Sequence, residues 1–147
     1  MSSRESGSTV NAVELIIYTE PVAKARARVV VNNGKAHSFT PVMTTLAESA
    51  IRWAILQEYK DIPFPAGMPL KLVAVFYRQR PKSLSKAEKL PVKKPDLDNY
   101  LKTLCDAMNG FLVHDDSQIV HIETRKYYGE PPRIEVSLAQ AALEAAI

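Results

Sequence analysis

The stretch PDLDNYLKTLCDAMNG, residues 95–110, carries the pattern that decides the fold. A proline and two aspartates precede apolar residues spaced at the i, i+3, i+4 and i+7 positions of a helix. These apolar residues are Leu101, Leu104, Cys105 and Met108. Asn109-Gly110 follows, a pair suited to the left-handed end of a helix. The stretch therefore predicts an amphipathic helix that begins beside two carboxylates and packs on a core.

Strand signals lie on both sides of this helix, in segments rich in β-branched and aromatic residues. They are AVELIIYTE (12–20), LKLVAVFYR (70–78), RIEVSLA (133–139) and a segment that starts near Ile119. We expect the last two strands to form a hairpin through residues 129–132. VVVNNGKAHSF (29–39) predicts two further short strands around an Asn-Gly turn.

A second helix is predicted from Thr40-Pro41, with Thr40 as N-cap and Pro41 in the first helical position. Apolar residues at helical spacing predict the face that packs on the core. They are Met43, Leu46, Ala47, Ala50, Ile51 and Ala54, and Trp53 and Tyr59 are expected to pack in the same element. Strands and helices mix without strict alternation. The pattern therefore predicts a small α/β (α+β) domain with a mixed β-sheet and two main helices.

Length and composition limit the class of protein. The 147 residues suit a single domain, which we place at 12–139 between a flexible N-terminal tail (1–11) and a C-terminal tail (140–147). The single Cys105 excludes an internal disulfide and a cysteine-based zinc site, as expected in a reducing compartment. There is no apolar run of roughly 18 residues and no apolar signal core at the N-terminus. We therefore expect a cytoplasmic protein with no membrane partner.

Positive charge is concentrated in two segments. Cations alternate with alanines at residues 24–28, which suits either a solvated edge strand or a strand that faces phosphates. The basic loop, residues 78–95, holds seven Lys or Arg residues against one Glu. A loop this long is either a solvated linker or a flexible arm that grips phosphates, and the charge imbalance favours the arm. The candidate DNA-binding residues are Lys24, Arg26, Arg28, Arg80, Lys82, Lys86, Lys89, Lys93 and Lys94.

Acidic residues form two clusters around the helix predicted in residues 95–110. Asp96 and Asp98 follow Pro95, and in an extended segment their side chains share a face. Lys102 lies one helical turn beyond Asp98, and Asp106 lies one turn beyond Lys102. Asp115 and Asp116 precede the next strand. Carboxylates brought together repel each other, and a hard cation such as Mg²⁺, which prefers oxygen ligands, relieves that repulsion. Lys102 would then contact the scissile phosphate of a substrate bound at this metal.

Each part of this pattern also has an ordinary structural explanation. Asp98 or Asn99 is a good helix N-cap. The Asp115-Asp116-Ser117 segment suits a turn. Lys102 can form helix-surface ion pairs with Asp98 and Asp106. The residues alone leave these alternatives open.

The segment KPDLDNYLKTLCDAMNGFLVHDDSQIVHIETRK (94–126) resembles the core of the RusA family of Holliday-junction resolvases. The matching elements are the Asp-Leu-Asp-Asn run, the lysine four residues after its second aspartate, the CDAMNG segment and the DDSQI segment. Residues 21–40 are also similar to the family's N-terminal strand and loop, which carries a proline and several cations. The resemblance covers most of residues 13–138.

The resemblance implies a Mg²⁺-dependent homodimeric endonuclease, with Mn²⁺ as a substitute metal, of a kind often carried by phages and prophages. Such an enzyme binds four-way DNA junctions and cuts two strands symmetrically. The family's essential acids correspond to Asp96, Asp98 and Asp116, its essential lysine corresponds to Lys102, and Asp115 is a secondary candidate for metal binding. The rival hypotheses are a non-catalytic DNA-binding module with the same fold and a metal site that serves stability alone.

Overall fold

The computed structural model of the chain describes residues 12–25, 28–39 and 41–142. In these ranges the chain forms a mixed α+β structure, as predicted. Its strands are β1 (Ala12–Ile17), β2 (Arg28–Asn32), β3 (Lys35–Phe39), β4 (Leu70–Arg78), β5 (Ile119–Tyr128) and β6 (Arg133–Gln140). Its helices are α1 (Val42–Glu58) and α2 (Leu97–Met108), and a short 3₁₀ turn spans Asp116–Gln118.

The main sheet has four strands in the order β1-β6-β4-β5. It is mixed, because β6 runs antiparallel to β1 and β4 while β5 runs parallel to β4. The parallel pair requires a crossover connection, which the basic loop and α2 supply. Strands β2 and β3 form a separate hairpin whose turn residues Asn33 and Gly34 both have positive φ, at 51° and 75°. The predicted Asn-Gly turn is therefore confirmed.

The predicted hairpin between the last two strands is wrong, because β4 lies between β5 and β6 in the sheet. The connection crosses the end of β4 and passes directly over Tyr77. A Cβ added at Gly129 would lie 2.7 Å from a ring carbon of Tyr77, so any larger residue would force Tyr77 or the connection to shift. The central position suits β6, whose alternate residues Ile134, Val136 and Leu138 are buried in the core.

Helix α1 starts at Val42, with Pro41 in the N-cap position, while the predicted cap Thr40 lies outside the described residues. Its buried residues are Thr44, Ala47, Glu48, Ile51 and Ile55. The predicted packing face is therefore only partly right, since Met43, Leu46 and Trp53 are 65%, 58% and 66% exposed. The helix can bury its polar positions because they have partners: Ala25 N donates to Thr44 Oγ1 and Lys24 Nζ donates to Glu48.

Helix α2 buries Tyr100, Thr103, Leu104, Ala107 and Met108, while Leu101 and Cys105 lie at the edge of the core. The helix ends at Met108, and Gly110 adopts a φ of +82°, as the Asn-Gly pair predicts. Neither helix α1 nor α2, nor any other helical segment in the described ranges, has the length and apolar character needed to cross a membrane.

Candidate active site on the second helix

The first two predicted carboxylates lie at the N-terminus of α2. Asp96 occupies the N-cap position, with extended φ and ψ of −72° and 147°, and Asp98 lies in the first turn. The expected N-cap at Asp98 or Asn99 is therefore wrong, because Asp96 takes this position. Asp96 is extended and Asp98 is helical, so the predicted extended segment does not include both acids. Both side chains are exposed, and neither accepts a hydrogen bond from a described residue. The positive end of the helix dipole favours negative charge here.

Asp98, Lys102 and Asp106 follow at intervals of four residues along the same side of α2. Lys102 is exposed and forms no ion pair within the described part of the chain. The predicted pairing of Lys102 with its acidic neighbours is thus not observed. Asp106 instead accepts a hydrogen bond from Lys24 Nζ, at 3.1 Å.

The second acidic pair lies in the 3₁₀ turn before β5. Asp115 caps this turn: its Oδ1 accepts a hydrogen bond from Ser117 N at 3.2 Å, while Gln118 Oε1 accepts one from Asp115 N. Gln118 Nε2 also donates to Pro65 O and Met68 O, both at 3.0 Å, which fixes the turn to the loop before β4. The turn explanation therefore holds for Asp115. It leaves the neighbouring Asp116 to be explained.

The carboxyl group of Asp116 lies in an unfavourable electrostatic environment. Partial burial raises its pKa, and the neighbouring Asp115 and Asp106 raise it further. By contrast, the backbone amide of Ser117 and the side chain of Asp116 lower the pKa of Asp115. Burial raises the pKa of Cys105 to about 11, and the charges of Asp116 and Asp106 add to this shift. These interactions place Asp116 beside the C-terminal half of α2.

The structure therefore brings the predicted acids to one helix, but in two groups. Asp96 and Asp98 lie at the N-terminus of α2, whereas Asp116 lies near Cys105 and Asp106, two turns further along. No group of three or more metal-binding side chains occurs within the described ranges. The single compact cluster of carboxylates that the sequence pattern suggests is not formed by these side chains in the isolated chain.

The basic loop has a folded backbone rather than the free form of a flexible arm. Arg80 donates to the carbonyl oxygens of Glu88 and Ser85, and its guanidinium lies 5.2 Å from the ring centre of Tyr128. Arg78 Nη1 donates to Lys94 O at 3.1 Å. Five lysine side chains of the same loop are exposed and form no hydrogen bond or ion pair with a described residue. They are Lys82, Lys86, Lys89, Lys93 and Lys94.

The end of the loop is tied to the sheet just before the first acid. Lys126 Nζ on β5 donates to Lys93 O at 3.1 Å and to Pro95 O at 2.8 Å. Pro95 immediately precedes Asp96. The clamp therefore fixes the position at which the basic loop gives way to the candidate metal ligands.

The N-terminal cations differ from the expectation of a phosphate-facing row. Lys24 is only 21% exposed and bonds to two carboxylates, those of Asp106 and Glu48. Arg26 lies outside the described residues, and Arg28 is described only as a backbone position in β2. DNA binding by Arg26 and Arg28 stays a prediction. The ion pairs make Lys24 a poor phosphate ligand.

Sequence reasoning missed residues that support the site from elsewhere in the chain. Arg52 on α1 donates to Asp106 O and Ala107 O at 3.1 and 3.2 Å, and so satisfies carbonyls at the end of α2. Arg52, Lys126 and Glu48 have no local sequence signal, because their partners are tens of residues away. The Asp115-x-x-Gln118 spacing, however, is that of a capping box and was visible in the sequence.

Comparisons with known proteins identify the family of the chain. The family model of Endodeoxyribonuclease RusA matches residues 19–139. The chain is 34% identical over 145 residues to the uncharacterized protein YqaN of Bacillus subtilis (strain 168), and the match covers 90% of this chain and 99% of that protein. It is 38% identical over 79 residues to the crossover junction endodeoxyribonuclease rusA of Lactococcus phage r1t, covering 52% of this chain and 59% of the phage protein. The family match spans β2 to β5, nearly all of β6, both helices and every described acid of the candidate site, and on this basis the chain belongs to the RusA family of endodeoxyribonucleases.

Proposed function

We propose that this protein is a Mg²⁺-dependent endodeoxyribonuclease that resolves Holliday junctions by paired, symmetric hydrolysis of phosphodiester bonds. The observation that carries this proposal is the outer side of α2. There, Asp96, Asp98 and Lys102 remain without a partner among the described residues, beside a loop rich in exposed lysines. A family of junction endonucleases supplies the substrate class.

Asp96, Asp98 and Asp116 are the proposed metal ligands, with Asp115 as a secondary candidate. Because Asp116 lies two turns of α2 away from the first two acids, all three could hold one ion only if the two groups of acids moved together. Their chemistry suits Mg²⁺, which takes few protein carboxylates and keeps several waters. Burial and the repulsion from Asp115 and Asp106 raise the pKa of Asp116, and a bound cation would offset that repulsion. When bound, the ion supplies positive charge that stabilises the developing charge on the phosphate. Mn²⁺, with similar ligand preferences, is the expected substitute.

Lys102 and the exposed lysines of the basic loop bind and orient DNA. Lys102 presents an exposed ammonium one turn from Asp98, where it can contact the scissile phosphate. The five exposed lysines of the basic loop supply the electrostatic attraction for the DNA backbone. Because the Lys126 clamp holds Pro95, phosphates bound by the loop lie next to the acids that would cut them.

A homodimer is the expected working form, since two symmetric cuts in a four-way junction require two equivalent sites. The outer side of α1 supports this part of the proposal. Met43, Leu46 and Trp53 are exposed there at the 3-residue and 7-residue spacing of a helix-packing seam. Exposed apolar stripes of this kind mark protein interaction surfaces, and a seam on one helix can pair with its own copy around a two-fold axis.

A labelled four-way junction tests the proposal, incubated with the protein with and without Mg²⁺ beside a linear duplex of the same sequence. We expect paired nicks in the junction only when the metal is present. Asp98→Asn should abolish cutting while junction binding persists, with Asp61→Asn, an exposed aspartate remote in sequence from the acids, as the matched control. Binding without cutting by the unaltered protein would favour the non-catalytic DNA-binding module, and cutting by Asp98→Asn at the normal rate would refute the metal assignment.

A further inference from the structure

Lys24 forms a three-way contact between α1 and α2. Its Nζ donates to Asp106 Oδ2 at 3.1 Å and lies 3.5 Å from Glu48 Oε2 on α1. Its backbone N donates to Asn99 O at 2.9 Å, near the start of α2. The residue is therefore held at both ends, and its side chain lies along the helix from Asn99 to Asp106.

Asp106 has a second potential partner on its own helix. Lys102 lies four residues before Asp106, a spacing at which lysine and aspartate side chains meet on a helix surface. The Asp106 carboxylate is instead bonded to Lys24, and Lys102 has no ion pair in the described ranges. Lys24 competes well because Glu48, whose side chain is only 12% exposed, adds a second carboxylate to its ammonium.

We propose that Lys24 is a positioning residue: by holding the Asp106 carboxylate, it keeps the Lys102 ammonium free for the scissile phosphate. The inference rests on the proposed role of Lys102. An ammonium paired with a carboxylate must give up that pair before it contacts DNA, and its positive charge is partly cancelled meanwhile. Lys24 itself stays charged. Burial alone would lower its pKa, but the hydrogen bond to Asp106 and the charge of Glu48 raise it on balance.

The test removes the Lys24 charge and asks which carboxylate then matters. The variants are Lys24→Met, Lys24→Met with Asp106→Asn, and Lys24→Met with Glu48→Gln. The first readout is the single-turnover rate of junction cleavage with Mg²⁺. The second needs neither DNA nor metal: the rate at which an amine-acylating reagent labels Lys102, followed by mass spectrometry. Circular dichroism confirms folding.

Lys24→Met should lower both rates about twofold, the factor that corresponds to a helix-surface ion pair. Adding Asp106→Asn should restore both rates. Adding Glu48→Gln removes the same amount of negative charge as Asp106→Asn. Because Glu48 lies on α1 and not four residues from Lys102, this change should restore neither rate. If Lys24→Met does not fold, Lys24→Met/Glu48→Gln provides a background without the buried unpaired carboxylate, and Asp106→Asn is added to it.

Equal rescue by Glu48→Gln and Asp106→Asn would overturn the proposal, because net charge would then explain the loss. Unchanged labelling of Lys102 in Lys24→Met would also overturn it. These outcomes are distinct from failure of the proposed function. If the unaltered protein cuts no junction but the labelling of Lys102 follows the predicted pattern, the control of Lys102 by Lys24 stands and the enzymatic role falls.

Discussion

The bonds between Arg52 and the end of α2 give the most quantitative test of the site's framework. Arg52 Nε and Nη2 donate to the carbonyl oxygens of Ala107 and Asp106, and the guanidinium lies 5.0 Å from the ring centre of Phe111. A hydrogen bond from a charged donor contributes about 1.5–3 kcal/mol, and the half-buried position places each bond at the lower end. Arg52→Met keeps most of the aliphatic packing and should lower the free energy of unfolding by about 2–4 kcal/mol.

For a chain of 147 residues, the entropy of unfolding is about 0.3 kcal/mol/K, so this loss corresponds to a Tm lower by about 7–13 °C. Thermal melts and urea titrations, both followed by circular dichroism, measure it. Arg52→Lys retains a charged donor but not the planar fork, and should lose about half as much. Arg125→Met is the matched control, since Arg125 is exposed on β5 and should change stability by less than about 0.5 kcal/mol. A loss for Arg52→Met no larger than that of the control would refute the reasoning.

Three further predictions concern charge, the acidic pair and the crossing over β4. Replacing Lys86, Lys89, Lys93 and Lys94 by Gln should weaken junction binding and reduce the slope of log K against log[salt] by as much as about three to four. An unchanged slope in a salt titration would show that these lysines do not contact phosphates. Asp116→Asn should abolish cleavage yet raise the Tm in EDTA at pH 7. Because the pKa of Asp116 is raised in the folded state, stability that is present at low pH is lost as the carboxyl group ionises. Asparagine cannot ionise and so avoids this loss. A lower Tm in a scanning calorimeter would contradict the inferred repulsion. Gly129→Ala should lower the Tm because the added Cβ would lie 2.7 Å from a ring carbon of Tyr77 and 2.9 Å from its Cβ. In a Tyr77→Gly background, which removes both atoms, the same substitution should cost less, and equal costs in both backgrounds would argue against the clash.

Sequence patterns correctly predicted those elements whose conformation depends on residues close together in the chain. The β-branched and aromatic residues of Leu70–Arg78 give β4 with the predicted bounds, and the Asn33-Gly34 turn adopts the positive φ values that its residues favour. The 3.6-residue spacing of Leu104 and Met108 correctly identified part of the buried side of α2. In each case the relevant neighbours lie within a few positions of one another in the sequence.

The errors came from partners that are distant in the sequence. The buried side of α1 includes Glu48 and Thr44, which hydrophobic periodicity assigns to solvent, because Lys24 and Ala25 supply their hydrogen bonds. Strand β6 pairs with β4 rather than β5, a choice that the short connection after β5 does not reveal. The row of cations at residues 24–28 suggested one face for DNA, but Lys24 faces two carboxylates that come from α1 and α2.

The two kinds of cation around the candidate site have different partners, and this difference bears on how the protein would hold DNA. Arg52, Arg78 and Arg80 all donate to backbone carbonyls, where a planar fork with several donors can satisfy more than one acceptor. The lysines of the basic loop, by contrast, are exposed and act as mobile point charges. Replacing a loop arginine should therefore disturb the shape of the loop, whereas replacing a loop lysine should remove one phosphate contact. Because point charges on flexible side chains carry no base readout, the loop lysines would contribute affinity for any phosphate backbone. In the proposed homodimer, selection of a branched substrate would come from how the two copies of the site are spaced, and the exposed seam on α1 would then matter to junction choice as the acids would to cutting.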